Sequence, residues 1–222
     1  MSANYREPQF LLPNCKNLKL PGTGTSVGSG LTEDRHSLYS MDFGVGEYTD
    51  ITASNTFDFN TDNFSISFWM NKGSASGSYQ PLVDFGGYSQ SPYNQGTNIY
   101  SNNSNQIHIY NRGSNPSNWL TSITTSSGWN QVVIIRDGNN LTVYINNSTE
   151  QVNQTFTGVS SINFGGTATS RIGGANSWSG KIDEVAIFSR ALSSNEVNTL
   201  YNSGSPSNPM LLSGKPVAYY PL

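Results

Sequence analysis

From Leu38 onward the chain alternates apolar and polar residues with a period of two, the repeat of a strand that buries one face. Phe64, Ile66, Phe68 and Met70 fall on one side of such a strand, with Ser65, Ser67 and Trp69 on the other. Leu141, Val143 and Ile145 repeat the arrangement against Thr142 and Tyr144. Residues 129–136 contain the unbroken apolar run VVII, which suits a central strand, and the DGNN of residues 137–140 supplies the tight turn between these two strands. Shorter strands are predicted over residues 80–85, 106–110, 150–156, 161–164 and 170–172. Many short strands at this spacing predict two packed antiparallel sheets.

The pattern changes over residues 181–188, where both faces are mostly apolar. Asp183, Val185 and Ile187 share one side, and Ile182, Glu184, Ala186 and Phe188 the other, so this strand is predicted to be covered twice over. Asp183 is expected to accept backbone hydrogen bonds inside the sandwich. Ser193 followed by Glu196 is a capping-box spacing: the hydroxyl takes an orphan amide proton while the carboxylate reaches back to the cap. The spacing predicts a helix over residues 194–202, with Gly204 just beyond as the residue that tolerates positive φ.

Composition narrows the classes. Only 11% of the 222 residues are charged, while Asn, Ser, Thr and Gly abound, which excludes a helical bundle. A net charge of -3 and no basic stripe leave nucleic acid without an electrostatic footprint. No apolar run approaches the length of a membrane span. Cys15 is the single cysteine, so no intramolecular disulfide forms. Residues 1–9 (MSANYREPQ) carry no basic region followed by an apolar one, so export by the usual route is not expected. Residues 1–37, with Pro8, Pro13, Pro21 and the GTGTSVGSG of residues 22–30, are expected to form an arm and a Gly-rich linker, tied to a neighbour or frayed. One principal domain is expected over residues 38–204. Residues 205–222 (SPSNPMLLSGKPVAYYPL) have the Pro and Ser of a linker.

The closing segment GKIDEVAIFSRALSSNEVNTLYNSG (residues 180–204) resembles the laminin-G-like branch of the concanavalin A-like jelly rolls, which includes the pentraxin-like modules. YSMDFGVGEYTDI (39–51) is similar to that family's opening strand pair, FSISFWM (64–70) to its aromatic central strand, and WNQVVIIRDGNNLTVYINN (129–147) to its tryptophan-led hairpin. The four blocks stand in the family's order over roughly residues 38–203. The resemblance implies an all-β, two-sheet antiparallel jelly-roll sandwich with one short C-terminal helix. The KPVAYYPL of residues 215–222 resembles the strand that opens another such domain, so it either begins a further domain or folds back as this domain's missing first strand. Trp69, Trp129 and Trp178 lie in or beside family-like strands and are expected in the core.

Candidate chemistry is sparse. A retaining glycosidase needs two carboxylates about 5–5.5 Å apart, projecting from one face. No ladder of acidic residues at i and i+2 or i+4 provides them, since Asp183 and Glu184 are adjacent and Asp58 and Asp62 lie in a turn-like stretch. His36 and His108 are the only histidines, neither in a nucleophile setting, and one Cys with two His does not make a zinc site. The resemblance implies calcium on the sandwich rim in some relatives, but the Asp-containing loop has no clear match here and no metal ligand is named. The recognition candidates are Tyr79, Tyr88, Tyr93, Tyr100, His108, Tyr110 and Trp119, interleaved with Gln90, Asn94, Gln95, Asn98, Asn102 and Asn103. Aromatic faces stack on sugar rings and amides bond hydroxyls; the same mixture suits a protein interface or the filling beneath long loops.

Together with the resemblance, the absence of an export signal leads to the expectation of a non-enzymatic structural or adhesion module of a phage virion, such as a capsid decoration or fibre component. Its partners would be other virion proteins, copies of itself, or a cell-surface glycan. The alternative is a lectin-like carbohydrate-binding module of a bacterial surface or secreted protein. A glycoside hydrolase is the third reading.

Overall fold

The computed structural model describes residues 40–51, 58–73, 79–85, 97–111, 118–152, 162–163, 170–173 and 178–222. Strands are numbered in chain order. The larger sheet runs β1 (Met41–Phe43), β14 (Gly180–Phe188), β4 (Phe64–Lys72), β9 (Trp129–Asp137), β10 (Asn140–Ile145) and β11 (Ser148–Val152), with β15 (Ala218–Tyr220) also paired to β14. The smaller runs β2 (Tyr48–Ile51), β13 (Ser170–Gly173), β5 (Gln80–Phe85), β6 (Thr97–Ser101), β7 (Gln106–Asn111) and β8 (Asn118–Thr124). β3 (Asp58–Asn60) and β12 (Ile162–Asn163) form a separate pair. Every pairing is antiparallel. The fold is therefore the expected two-sheet jelly-roll sandwich with one short helix near its C-terminal end.

The period-two pattern places the core. Phe64, Ile66, Phe68 and Met70 of β4, Val132 and Ile134 of β9, and Leu141, Val143 and Ile145 of β10 face Val83, Phe85, Ile99, Ile107, Ile109 and Ile172 of the smaller sheet. Full burial of a side chain of this size stabilises the fold by about 1.5–3 kcal/mol. Trp69 and Trp178 are buried, as expected. Trp129 is not: at the first position of β9 it is 40% exposed, because it has the parity of the outward face, opposite to core-facing Val132.

β14 is covered on both sides, but not with the expected partition. Ile182, Val185 and Ile187 point into the sandwich while Ala186 and Phe188 point outward. Asp183 therefore does not share a face with Val185 and Ile187. The reason is a β-bulge between Asp183 and Ala186, where Glu184 takes a positive φ of 54° and resets the alternation. At the start of the strand Gly180 runs so close to β4 that a Cβ would lie 2.3 Å from the Asn71 carbonyl oxygen.

On the outward face of the larger sheet lies α1 (Ser194–Tyr201). Val197 and Leu200 pack with Leu192, Leu212 and Tyr219 against Val133, Ile135, Ala186 and Phe188. Ser193 caps the helix: its hydroxyl accepts from the Glu196 amide, and the Glu196 carboxylate accepts from the Ser193 amide at 2.9 Å. Asn202 takes the left-handed position at the end of α1, its N–H bonded to the Asn198 carbonyl, and Gly204, two residues on, has the expected positive φ of 92°. Among the described residues no helix is long and apolar enough to cross a membrane.

The tail stays on this sandwich. Arg190 holds both Glu196 oxygens (3.0 and 2.6 Å) and the Gly214 carbonyl (2.7 Å), which ties helix and tail together. β15 then pairs Ala218, Tyr219 and Tyr220 with Ile187, Ala186 and Val185. β1 pairs with the other half of the same edge of β14, so the two short strands share that edge. Of the two placements open to the KPVAYYPL segment, its residues 218–220 take the fold-back, pairing with this sandwich. Two buried carboxylates receive it: the Tyr219 hydroxyl donates to Glu184, and the Leu222 amide donates to Asp183 at 3.2 Å. The arm and linker expected over residues 1–37, and Cys15 and His36 within it, lie outside the described residues.

Candidate functional site

The outward face of the smaller sheet follows from its register. Ile99 and Ile109 face the core, so Asn98, Tyr100, His108 and Tyr110 face away from it. Across the sheet, Asp50, Arg171, Asp84, Asn98 and Tyr110 align into one transverse row, with Asn118 at its far end by backbone register. Tyr100 and His108 stand side by side in a neighbouring row.

Tyr79, just before β5, joins that second row. Its ring centroid lies 4.4 Å from that of Tyr100 at an interplanar angle of 45°. Tyr100 in turn stacks on His108 at 4.6 Å and 18°. Asn102, in the turn after β6, fixes the imidazole. Its Oδ1 accepts from the Ser104 and Gln106 amides, each at 2.9 Å, so the amide orientation is determined and its Nδ2 donates to His108 Nε2 at 3.0 Å. The same Nδ2 donates to Gln106 Oε1 at 3.0 Å. A neutral His108 accepting at Nε2 carries its proton on Nδ1, which donates to the Tyr100 hydroxyl oxygen 3.1 Å away. This is a rigid aromatic shelf with a polar rim.

Electrostatics along the transverse row are mixed. Arg171 Nε lies 3.1 Å from Asp50 Oδ1, and its guanidinium carbon 4.1 Å from the Tyr48 ring centroid. Asn98 is fully buried, and neither atom of its amide has a hydrogen-bond partner. An amide left in that state costs about 1–3 kcal/mol.

Of the sequence-predicted residues, Tyr79, Tyr100, His108 and Tyr110 come together on or beside this face. Tyr88 and Tyr93 lie outside the described residues, as does the Trp119 side chain. The backbone of Trp119 pairs with Ile109, the register position of a core-facing residue. Asp50, Arg171 and Asp84 were not anticipated. They are adjacent only because β13 pairs between β2 and β5, which no local pattern announces.

Asp183 and Glu184, adjacent in the chain, are both buried. The Asp183 carboxylate accepts the Glu184 amide at 2.8 Å and is pushed up to about 8, first by burial and second by the Glu184 charge. Among the described residues no three His, Cys, Asp or Glu side chains are grouped to hold a metal ion.

No curated protein matches the chain. Among solved structures, the sialidase of Trypanosoma rangeli superposes with a TM-score of 0.57 at 16% identity, covering 76% of this chain and 29% of the sialidase. This chain thus spans under a third of that enzyme. The CBM40 module of the Ruminococcus gnavus IT-sialidase, bound to α2,3-sialyllactose, superposes at 0.58 with 13% identity, over 72% of this chain and 95% of the module. A candidate carbohydrate-binding protein from Bacteroides ovatus gives 0.57 at 14% identity, over 81% of this chain and 50% of the other. These likenesses concern the fold. A laminin-G-type family model described as concanavalin A-like lectin/glucanases matches residues 44–198. The chain belongs to the concanavalin A-like lectin/glucanase superfamily.

Proposed function

We propose that this protein is a non-enzymatic, lectin-like carbohydrate-binding module whose site is the outward face of the smaller sheet. The observation that carries the reading is the Tyr79–Tyr100–His108 shelf, held by Asn102 and bordered by Tyr110 and the Asn98 amide. Aromatic faces take the apolar face of a sugar ring, and amides bond its hydroxyls. The CBM40 module and the Bacteroides protein support this reading over a virion component, for which the relatives offer no support. A module that meets glycans belongs at the cell surface or in the medium.

The test is a titration with 3′-sialyllactose, then with neutral oligosaccharides, of the wild type and a His108→Ala variant, with and without EDTA to read any calcium contribution. Saturable binding that falls at least tenfold in the variant, with the fold intact by circular dichroism, is expected. Equal affinity in both proteins moves the site elsewhere. Reducing sugar released from a bound oligosaccharide would overturn the non-enzymatic reading.

A further inference from the structure

The outward face of the larger sheet is not covered along its whole length. α1 and the tail lie over Ser65, Ser67, Val133, Ile135, Ala186 and Phe188, and Tyr201 near the helix end stacks on Trp69 at 5.9 Å and 6°. Beyond Tyr201 the sheet continues by one more row. Its members follow from register and parity: Asp42 of β1 is opposite Lys181 of β14, Lys181 opposite Asn71 of β4, and Asn71 opposite Trp129 of β9. Each has the parity of a residue on the helix side, since Phe43, Ile182, Met70 and Val132 are the core-facing ones. Asp42 and Lys181 are exposed, Asn71 is half-buried and Trp129 is 40% exposed.

Two residues further along the same face of β9 lies Gln131, 1% exposed. Neither its Nε2 nor its Oε1 has a partner. A desolvated amide with both ends unsatisfied is a standing cost of about 1–3 kcal/mol, which a hydroxyl or an ordered water reaching it removes.

We infer that this strip, Asp42–Lys181–Asn71–Trp129 with Gln131 behind it, is a second sugar-binding surface on the opposite side of the sandwich from the shelf at Tyr100 and His108. The inference rests on the carbohydrate-binding reading and extends it, making the module bivalent. Trp129 presents an indole for a ring to stack on, beside an amide, an ammonium and a carboxylate that bond hydroxyls. At about 4.8 Å between strands the row measures about 14 Å, the scale of a short oligosaccharide of hexopyranose units. A protein partner fits less well: the centre of a protein interface is depleted in Asp and Lys and clusters its aromatics, whereas this row holds one aromatic among polar groups.

The experiment is a heteronuclear NMR titration of the 15N-labelled chain with 3′-sialyllactose, cellotriose and maltotriose. The sequence has four Trp, and a Trp129→Phe variant assigns the Trp129 indole N–H signal. That signal and the amides of Asn71 and Lys181 should shift saturably with at least one sugar. A Trp129→Ala variant should abolish those shifts while leaving the shifts at Tyr100 and His108. Shifts confined to Tyr100 and His108 overturn the second surface and leave the first standing. No shift on either face with any of the three sugars overturns both. Concentration-dependent broadening of the strip without sugar overturns the inference in favour of a protein contact.

Discussion

The two sheets share an alternation of inward and outward residues, yet their outward faces differ in chemistry. On the larger sheet the outward residues Val133, Ile135, Ala186 and Phe188 are apolar, and α1 with the tail seals them into a second core. Beside the helix, Ser65 Oγ donates to the Arg190 carbonyl at 2.9 Å and accepts from the Leu192 amide at 2.9 Å, and Arg190 clamps Glu196 and Gly214. On the smaller sheet the outward row is Asp50, Arg171, Asp84, Asn98 and Tyr110, polar side chains of which Asp84 and Asn98 are buried. One face holds the fold together. The other is a polar row, part of it buried, in which the Asn98 amide carries an unmet desolvation cost.

The contrast is broken most severely at Phe188, fully buried beneath the helix. Phe188→Ala should lower stability by about 3–5 kcal/mol, read from the urea midpoint, because the packed helix collapses only partly into the space left. A loss under about 1 kcal/mol would mean that α1 is an appendage and the second core contributes little.

The next effect is a slope with pH. The Asp183 carboxyl is raised from 3.8 to about 8, by burial first and the Glu184 charge second, with the Glu184 and Leu222 amides opposing. The folded protein thus holds this proton more tightly than the unfolded chain. Its stabilisation is present in full below about pH 4 and is lost as pH climbs through about 8. Asp183→Asn keeps an acceptor for the Glu184 amide and removes the titration, so the fall in urea midpoint between pH 4.5 and 8.5 should flatten. Glu196 contributes with the opposite sign: Arg190 first, then its Ser193 hydrogen bonds, hold its carboxyl at about 2, so its contribution is lost only as acid approaches that value. An unchanged slope in the Asp183 variant would place the titration on another group.

The cap is smaller again. Ser193→Ala removes the acceptor for the Glu196 amide and should cost about 1 kcal/mol. A variant as stable as the wild type would show that Arg190, bonded to Glu196, already fixes the first turn.

How much of this was legible in the sequence depended on how local the cause was. The inward faces of β4, β9 and β10 follow from alternation alone, and the helix from Ser193 and Glu196, because each depends on residues a few positions apart. The bulge did not follow. Glu184 at positive φ is not a residue type that advertises it, and it resets which side chains of β14 face the core. Trp129 is expected in the core because it begins a family-like strand, but it takes the outward parity of β9, opposite to Val132. The aromatic half of the candidate site was visible as Tyr79, Tyr100, His108 and Tyr110, all within one stretch of chain. Its charged half, Asp50 with Arg171, was not, since those residues lie far apart and meet only through the order of the strands.

That charged half gives the smallest expected effect and the finest test of the division between faces. The Asp50 and Arg171 side chains are 33% and 19% exposed, and an ion pair so open to water is screened and loses side-chain entropy on forming. Asp50→Asn should therefore change stability by only a few tenths of a kcal/mol, with the difference shrinking further as salt is added. Arg171 also rests on the Tyr48 ring, so the guanidinium keeps its place when its carboxylate partner is lost. A cost above about 2 kcal/mol, insensitive to salt, would mean that this face is as structural as the helix-covered one, and the argument for a surface kept open to a ligand would fail with it.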